Sequence, residues 1–441
     1  MKTTEKLHFR NTAFVLLITL LLPASLFAAQ VQKTFTWKYP VNMQTQVKFD
    51  NYNCDLVIHT WEKSLAEYHL TIEATGKTQE DEERLVRYLE KYDFRHSEGE
   101  VAFGSSFWKN RMTFNGRTTL EIEGEKNIVL TDFTIKGELW IPAGCNFAFQ
   151  SKYSKVDMEN FSGKFQAELY NDHFHGGNVT TVTDLEAKYA DIEFTELKGL
   201  NAELYNCTFN AESTGDLTLN SKYSKLRCKT AGAVAFDSYN DKAEIENSGD
   251  LRFSSKYSDL NMKVAGKVTL DCYNGNIEIG TSREIRLSSK YAEFRFAGTG
   301  DIKIGDTYND KYYIGKASSM RIDVSKYSAY NIDELLTGLT LGDGYNDNIS
   351  VQKTSESLKE FRVSGKYLEV SLRVPPSLSY RLTANIKYPE FDVNESAFKT
   401  RIKILENSEL QYEGVKGTEK SDLPLIEIKG YEIKLKLTDI N

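Results

Sequence analysis

The sequence predicts an all-β fold: a parallel β-solenoid (β-helix) of coils of about 17 residues, two short strands to each coil, with one short helix in the N-terminal region. Three observations predict it. A Lys-Tyr pair recurs with Tyr153, Tyr189, Tyr223, Tyr257, Tyr291, Tyr327 and Tyr367, and a Tyr-Asn pair falls strictly between, with Tyr170, Tyr205, Tyr239, Tyr273, Tyr308 and Tyr345. Apolar residues alternate on both sides of each pair, the period of a strand with one buried face. The composition agrees, because 25 Tyr and 24 Phe against 7 Pro favour β-structure over helical bundles and Pro-rich fibres.

The repeat is cleanest in GDLTLNSKYSKLRCKTA from Gly215, GAVAFDSYNDKAEIENS from Gly232, GDLRFSSKYSDLNMKVA from Gly249 and GKVTLDCYNGNIEIGTS from Gly266. In register, Leu217, Leu219 and Ser221 match Val234, Phe236 and Ser238, then Leu251, Phe253 and Ser255, then Val268, Leu270 and Cys272. After the tyrosine the phase shifts by one residue, and a second pair follows, such as Leu226 with Cys228 or Ile277 with Ile279. Each unit is therefore two strands with a bend at the tyrosine and another at the glycine. Such a unit presents about four inward apolar side chains, each worth roughly 1.5–3 kcal/mol when buried, so it holds together only by stacking on its neighbours. Antiparallel hairpins turning at Asn274-Gly275 are the rival arrangement, but most copies lack that glycine. A turn of 34 residues, stacking like tyrosines on like, is a second alternative. About thirteen coils at a spacing of roughly 4.8 Å make a rod about 60 Å long.

Four regions follow. Residues 1–29 read as a secretory signal peptide, with Lys2, Lys6 and Arg10 before the apolar run Ala13 to Leu22, then Pro23 and small residues to Ala29. Residues 30–145 form an N-terminal β region holding an early coil around Tyr52-Asn53. It also holds a helix near residues 78–92, capped by Thr78, with Leu85, Val86, Leu89 and Tyr92 on one stripe. Residues 146–375 carry the solenoid repeats, and residues 376–441 a C-terminal cap in which 407–421 read as a polar loop before the strand pair LIEIKGYEIKLKL. An exported chain results, placed in the periplasm, at the outer membrane or on the cell surface, with no transmembrane segment after cleavage.

Function is less legible. The formal charge of −8 excludes a generic nucleic-acid binder. Cys54, Cys145, Cys207, Cys228 and Cys272 are odd in number and lack paired spacing, so neither a disulfide framework nor a zinc cluster is expected. No hydrolase elbow, metalloprotease motif, phosphate loop or calcium repeat is present, so no catalytic residue and no cofactor is expected. His173 and His175 flank Phe174 and project together, which makes them weak candidates for a metal. Asp237, Asp241, Asp271, Asp306 and Asp310 are the acidic residues a polysaccharide-active lyase or hydrolase would draw from separate coils; their bland role is turn geometry. In the Lys-Tyr units the ring is expected to fill the bend. In the Tyr-Asn units Tyr170, Tyr205, Tyr239, Tyr273 and Tyr308 are expected to face outward, as a surface on which a glycan could stack.

The segment VKFDNYNCDLVIHTWEKSLAEYHLTIEATG followed by a short helix, and units such as GDLTLNS and GDLRFSS, resemble the "putative adhesin" domain family of unknown function found in bacterial envelope proteins. They are also similar to the head-domain auto-transporter adhesin group. The resemblance covers most of the chain beyond the leader and implies an exported β-solenoid with no assigned catalytic residue. This chain departs from the family pattern in carrying Lys-Tyr and Tyr-Asn where many relatives have Ser-Gly-rich bends. The expectation is an adhesin-like envelope protein, not an enzyme, that binds a cell-surface glycan or an envelope protein through its repeat face.

Overall fold

The computed structural model describes residues 30–440, so the expected leader lies outside the described residues. The chain is a parallel β-solenoid of about 13 turns with a spacing of about 18 residues. Leu217 pairs with Val234, Val234 with Leu251, Leu251 with Val268 and Val268 with Ile285, all in parallel. One repeat therefore makes one coil, and neither the hairpins nor the 34-residue turn occurs. The longer downstream spacing comes from bulges at Leu287/Ser289 and Ala317/Ser319 and from three extra residues between Thr354 and Glu360.

Alternation builds the core. Leu219, Phe236, Phe253, Leu270 and Leu287 stack as one buried column, and Leu226, Ala243, Leu260, Ile277 and Phe294 as another on the facing strand. All five cysteines are buried and free.

The two bends solve different problems. At the tyrosine bend two successive residues point outward, which flips the inward parity, and the second of them is left-handed. Tyr223, Asn240, Tyr257 and Asn274 have φ of 59°, 56°, 60° and 56°. At the glycine bend successive backbones nearly touch. Gly232 N donates to Gly215 O at 2.9 Å, and a Cβ on Gly215 would stand 1.9 Å from the Lys198 carbonyl oxygen.

Both ends leave the simple order. The first coil strand, Gln46–Tyr52, pairs with Asn146–Lys152 on one side and with Glu100–Gly104 on the other. Around them the chain forms antiparallel strands Val31–Pro40, Leu65–Gly76 and Ile128–Pro142, against which the helix Gln79–Lys91 buries Leu85 and Leu89. Thr78 caps that helix, its Oγ1 accepting from Asp81 N at 3.2 Å. At the C-terminal end Leu425–Asp439 inserts between Glu360–Val374 and Tyr380–Lys387, parallel to both. The expected strand pair is thus one long strand, broken where Gly430 and Glu432 take positive φ. The expected polar loop at 407–421 is corrected, because Glu409–Lys416 is a strand between Tyr380–Lys387 and Phe398–Glu406. Its buried Leu410, Tyr412 and Val415 are too few and too interspersed with charge to show as a period in sequence.

Candidate functional site: a tyrosine edge

The bend conformation gathers both tyrosine series into one column. In Lys-Tyr coils the corner position holds lysine and the left-handed position tyrosine. In Tyr-Asn coils the corner holds tyrosine and the left-handed position asparagine, so Lys222 pairs with Tyr239 and Tyr239 with Lys256. Rings from adjacent coils meet edge to face, with centroids 5.3–5.9 Å apart and interplanar angles of 69–83°, in an unbroken run from Tyr52 through Tyr367 to Tyr431 and Tyr388. The rings alternate in orientation, so the surface repeats every two coils, about 10 Å.

This corrects the two-row picture. Tyr205, Tyr239 and Tyr273 are exposed as expected, while Tyr170 and Tyr308 are half-buried. The Lys-Tyr rings do not fill the bend: Tyr223 is 44% exposed against 36% for Tyr239. Parity counting missed Tyr153, Tyr189, Tyr223, Tyr257, Tyr291 and Tyr327 because it assumed extended backbone through the bend. A left-handed residue turns its side chain out instead.

Left-handed tyrosine is an unusual choice. For a residue with a Cβ this conformation costs roughly 1–2 kcal/mol, and Asn or Gly bears it far better. Asparagine is used in alternate coils of this very chain. Edge-to-face contacts of about 0.5–1.5 kcal/mol on each side of a ring offset the cost. The column is thus self-supporting, and its outer ring surface and hydroxyls remain open to solvent.

Beneath the column, buried carboxylates tie one coil to the next. Asp172 accepts from Ser154 N at 2.8 Å, Tyr170 N at 3.0 Å and Ser151 Oγ at 3.2 Å. Asp241 accepts from Ser224 N at 2.7 Å, Ser238 Oγ at 2.8 Å and Tyr239 N at 3.1 Å. Asp310 and Asp347 accept in the same way from Ala292 N and Ser328 N. Burial pushes the carboxyls of Asp172 and Asp347 up to about 6 against the hydrogen bonds that pull them down, and it raises Asp241 and Asp310 too. Lost hydration and then the neighbouring phenols raise Tyr189, Tyr223 and Tyr291, so these hydroxyls stay protonated.

Asp241 and Asp310 are therefore structural. Asp237, Asp271 and Asp306 are exposed, and Asp237 and Asp271 lie two coils apart in one column, so the five do not converge. A shallow cavity of about 410 Å³ lies beside the column, lined by Glu168, Glu186 and Glu203 with Lys188, Tyr170 and Tyr205. His173 and His175 project outward on either side of buried Phe174, each facing a different carboxylate: Asp191 at 3.2 Å and Asp157 at 3.7 Å. Among the described residues no group of three or more His, Cys, Asp or Glu could hold a metal ion, and no helix is long and apolar enough to cross a membrane.

No family model matches the chain, and no curated protein does. Among solved structures it is similar to a putative cell adhesion protein from Clostridium sporogenes ATCC 15579, at 9% identity over 92% of this chain and 100% of that one, with a TM-score of 0.14. It is also similar to putative adhesins from Parabacteroides distasonis ATCC 8503 (13% identity, 65% and 96% of the two chains, TM-score 0.24) and Parabacteroides merdae ATCC 43184 (12%, 65% and 95%, 0.21).

Proposed function

We propose that this chain is an exported, non-enzymatic adhesion rod that holds a linear cell-surface glycan along its tyrosine edge. One observation carries the reading: the unbroken run of rings, most of them exposed and repeating every two coils, on one edge of the solenoid. Tyrosine joins an apolar face, suited to the C–H face of a sugar, to a hydroxyl that hydrogen-bonds. A regular row offers a polymer many weak contacts at once, so affinity grows with polymer length. Asn240, Asn274 and the corner lysines supply polar partners within the same surface. Export rests on the leader-like first 29 residues, and the names of the similar structures are consistent with a location at the envelope.

The test is a glycan array followed by binding of size-graded oligomers, with reducing-end release measured in parallel. Replacing Tyr223, Tyr239, Tyr257 and Tyr273 together by Ser should cost about tenfold or more in affinity for long oligomers and little for short ones. Equal binding by this variant would overturn the reading. Release of new reducing ends would move the chain to the glycan-cleaving class, with the carboxylates of Glu168, Glu186 and Glu203 as its candidates.

A further inference from the structure

Two rows of unpaired charge run beside the rings, and both keep the two-coil period. The corner lysines Lys152, Lys188, Lys222, Lys256, Lys290 and Lys326 occupy every second coil and are exposed. In the intervening coils the residue two positions before the tyrosine is always acidic and exposed: Glu168, Glu203, Asp237, Asp271, Asp306 and Asp343. The matching position in the lysine coils holds Gln150, Asn220, Ser254, Ser288 or Val324, with Glu186 the charged exception.

None of these lysines or acids forms an ion pair among the described residues. The strand after the bend behaves otherwise. There Arg227 meets Glu244 at 3.0 Å, Lys263 meets Glu246 at 2.9 Å and Lys316 meets Glu334 at 3.0 Å, each across adjacent coils. On the tyrosine edge the two charges are diagonal neighbours, about 7–8 Å apart. Each row is left facing solvent.

We infer that this edge is self-complementary and that its partner is a second copy of this chain, lysines of one rod meeting acids of the other beside the tyrosine columns. A purely anionic or cationic partner would be attracted by one row and repelled by the other. A second copy carries both rows at the same period, and a two-fold axis brings each row opposite its complement many times over. The interface is isologous, with lysines alternating with tyrosines along the corner column and the acids two positions before it. This goes beyond glycan binding: a second copy on this edge would cover the rings and compete with a glycan there, and the two are told apart because dimerisation depends on the charge rows and glycan binding on the rings.

The experiment is a charge swap read by sedimentation, on protein purified after expression of the full chain. Wild type should show concentration-dependent dimerisation that weakens as salt screens the rows. A variant with Lys222→Glu, Lys256→Glu and Lys290→Glu, and another with Asp237→Lys, Asp271→Lys and Asp306→Lys, should each self-associate at least about tenfold more weakly, as like charges now face each other. Mixing the two variants should restore a heterodimer. Unchanged melting of each variant guards against loss of fold, because exposed substitutions usually fall within about ±0.5 kcal/mol. A wild type that stays monomeric at all concentrations and salts, variants that dimerise as wild type does, or a mixture that fails to pair would each overturn the inference. A monomer that still binds size-graded oligomers would overturn it while leaving the glycan reading intact.

Discussion

The two bends of a single coil differ in what they ask of side chains. At the glycine bend the requirement is negative: backbones pass so closely that a Cβ on Gly215 would stand 1.9 Å from the Lys198 carbonyl oxygen, and Gly215, Gly232, Gly249 and Gly266 hydrogen-bond directly along the rod. At the tyrosine bend a large ring is kept in a conformation that disfavours it, above a buried Asp and Ser network that would bridge the coils without any ring. One bend is shaped by what must be absent and the other by what is displayed. A repeat fold can thus confine its stacking constraint to one edge and leave the opposite edge free to carry a surface.

The largest break in this contrast is expected from Gly215→Val. With the Lys198 carbonyl 1.9 Å from the new Cβ, the coils must part, and the loss should be roughly 3 kcal/mol in denaturant melts. A neutral outcome would show that the glycine bend has slack. Next comes Asp241→Ala, which strands Ser224 N, Tyr239 N and two serine hydroxyls and should destabilise by about 1–3 kcal/mol.

A pH series sharpens the same point. Asp172 and Asp347 have folded pKa values raised from 3.8 to about 6, so the folded chain binds more protons than the unfolded chain in that window. Their contribution to stability is therefore full below about pH 4 and is lost as pH rises through about 6. Other carboxylates, Glu67 and Asp250 among them, are held low and add the opposite slope, so the readout is the difference from wild type: Asp172→Asn should gain stability relative to wild type as pH rises from about 4 to about 7. An unchanged slope in the variant would remove Asp172 from the account. The smallest effect is expected from Tyr223→Asn, which relieves left-handed strain while losing two ring contacts, for a net change within about 1 kcal/mol by calorimetry. A gain well above that would mean the ring stack does not offset the strain.

Much of this architecture was legible because period two survives in every coil. Leu217, Val234, Leu251 and Val268 fall into register by inspection, and the phase shift after Tyr223 marks the bend. The helix was legible through Thr78 and the stripe of Leu85 and Leu89. Three things were not. The left-handed φ of Tyr223 and its counterparts cannot be read from polarity, so half of the ring column was assigned inward. The strand Glu409–Lys416 hides its few buried residues among charges. The insertion of Leu425–Asp439 between earlier strands is a matter of topology, and no local pattern encodes which neighbour a strand will choose. Of the candidate site, Tyr205, Tyr239 and Tyr273 were legible as exposed rings, but their continuity with the Lys-Tyr rings was not.

The central claim is that coils of one repeat each interleave the two tyrosine series on a single edge, and cysteine cross-linking tests it most directly. Lys222→Cys with Tyr239→Cys places two thiols on directly paired residues of adjacent strands, about 4.8 Å apart at Cα and within disulfide range. Lys222→Cys with Lys256→Cys places them two coils apart, about 10 Å and out of range. Mild oxidation of the folded monomer should close the first pair and leave the second open. Closure of the second pair and not the first would mean that lysine coils stack directly on lysine coils, and the single tyrosine edge would not exist.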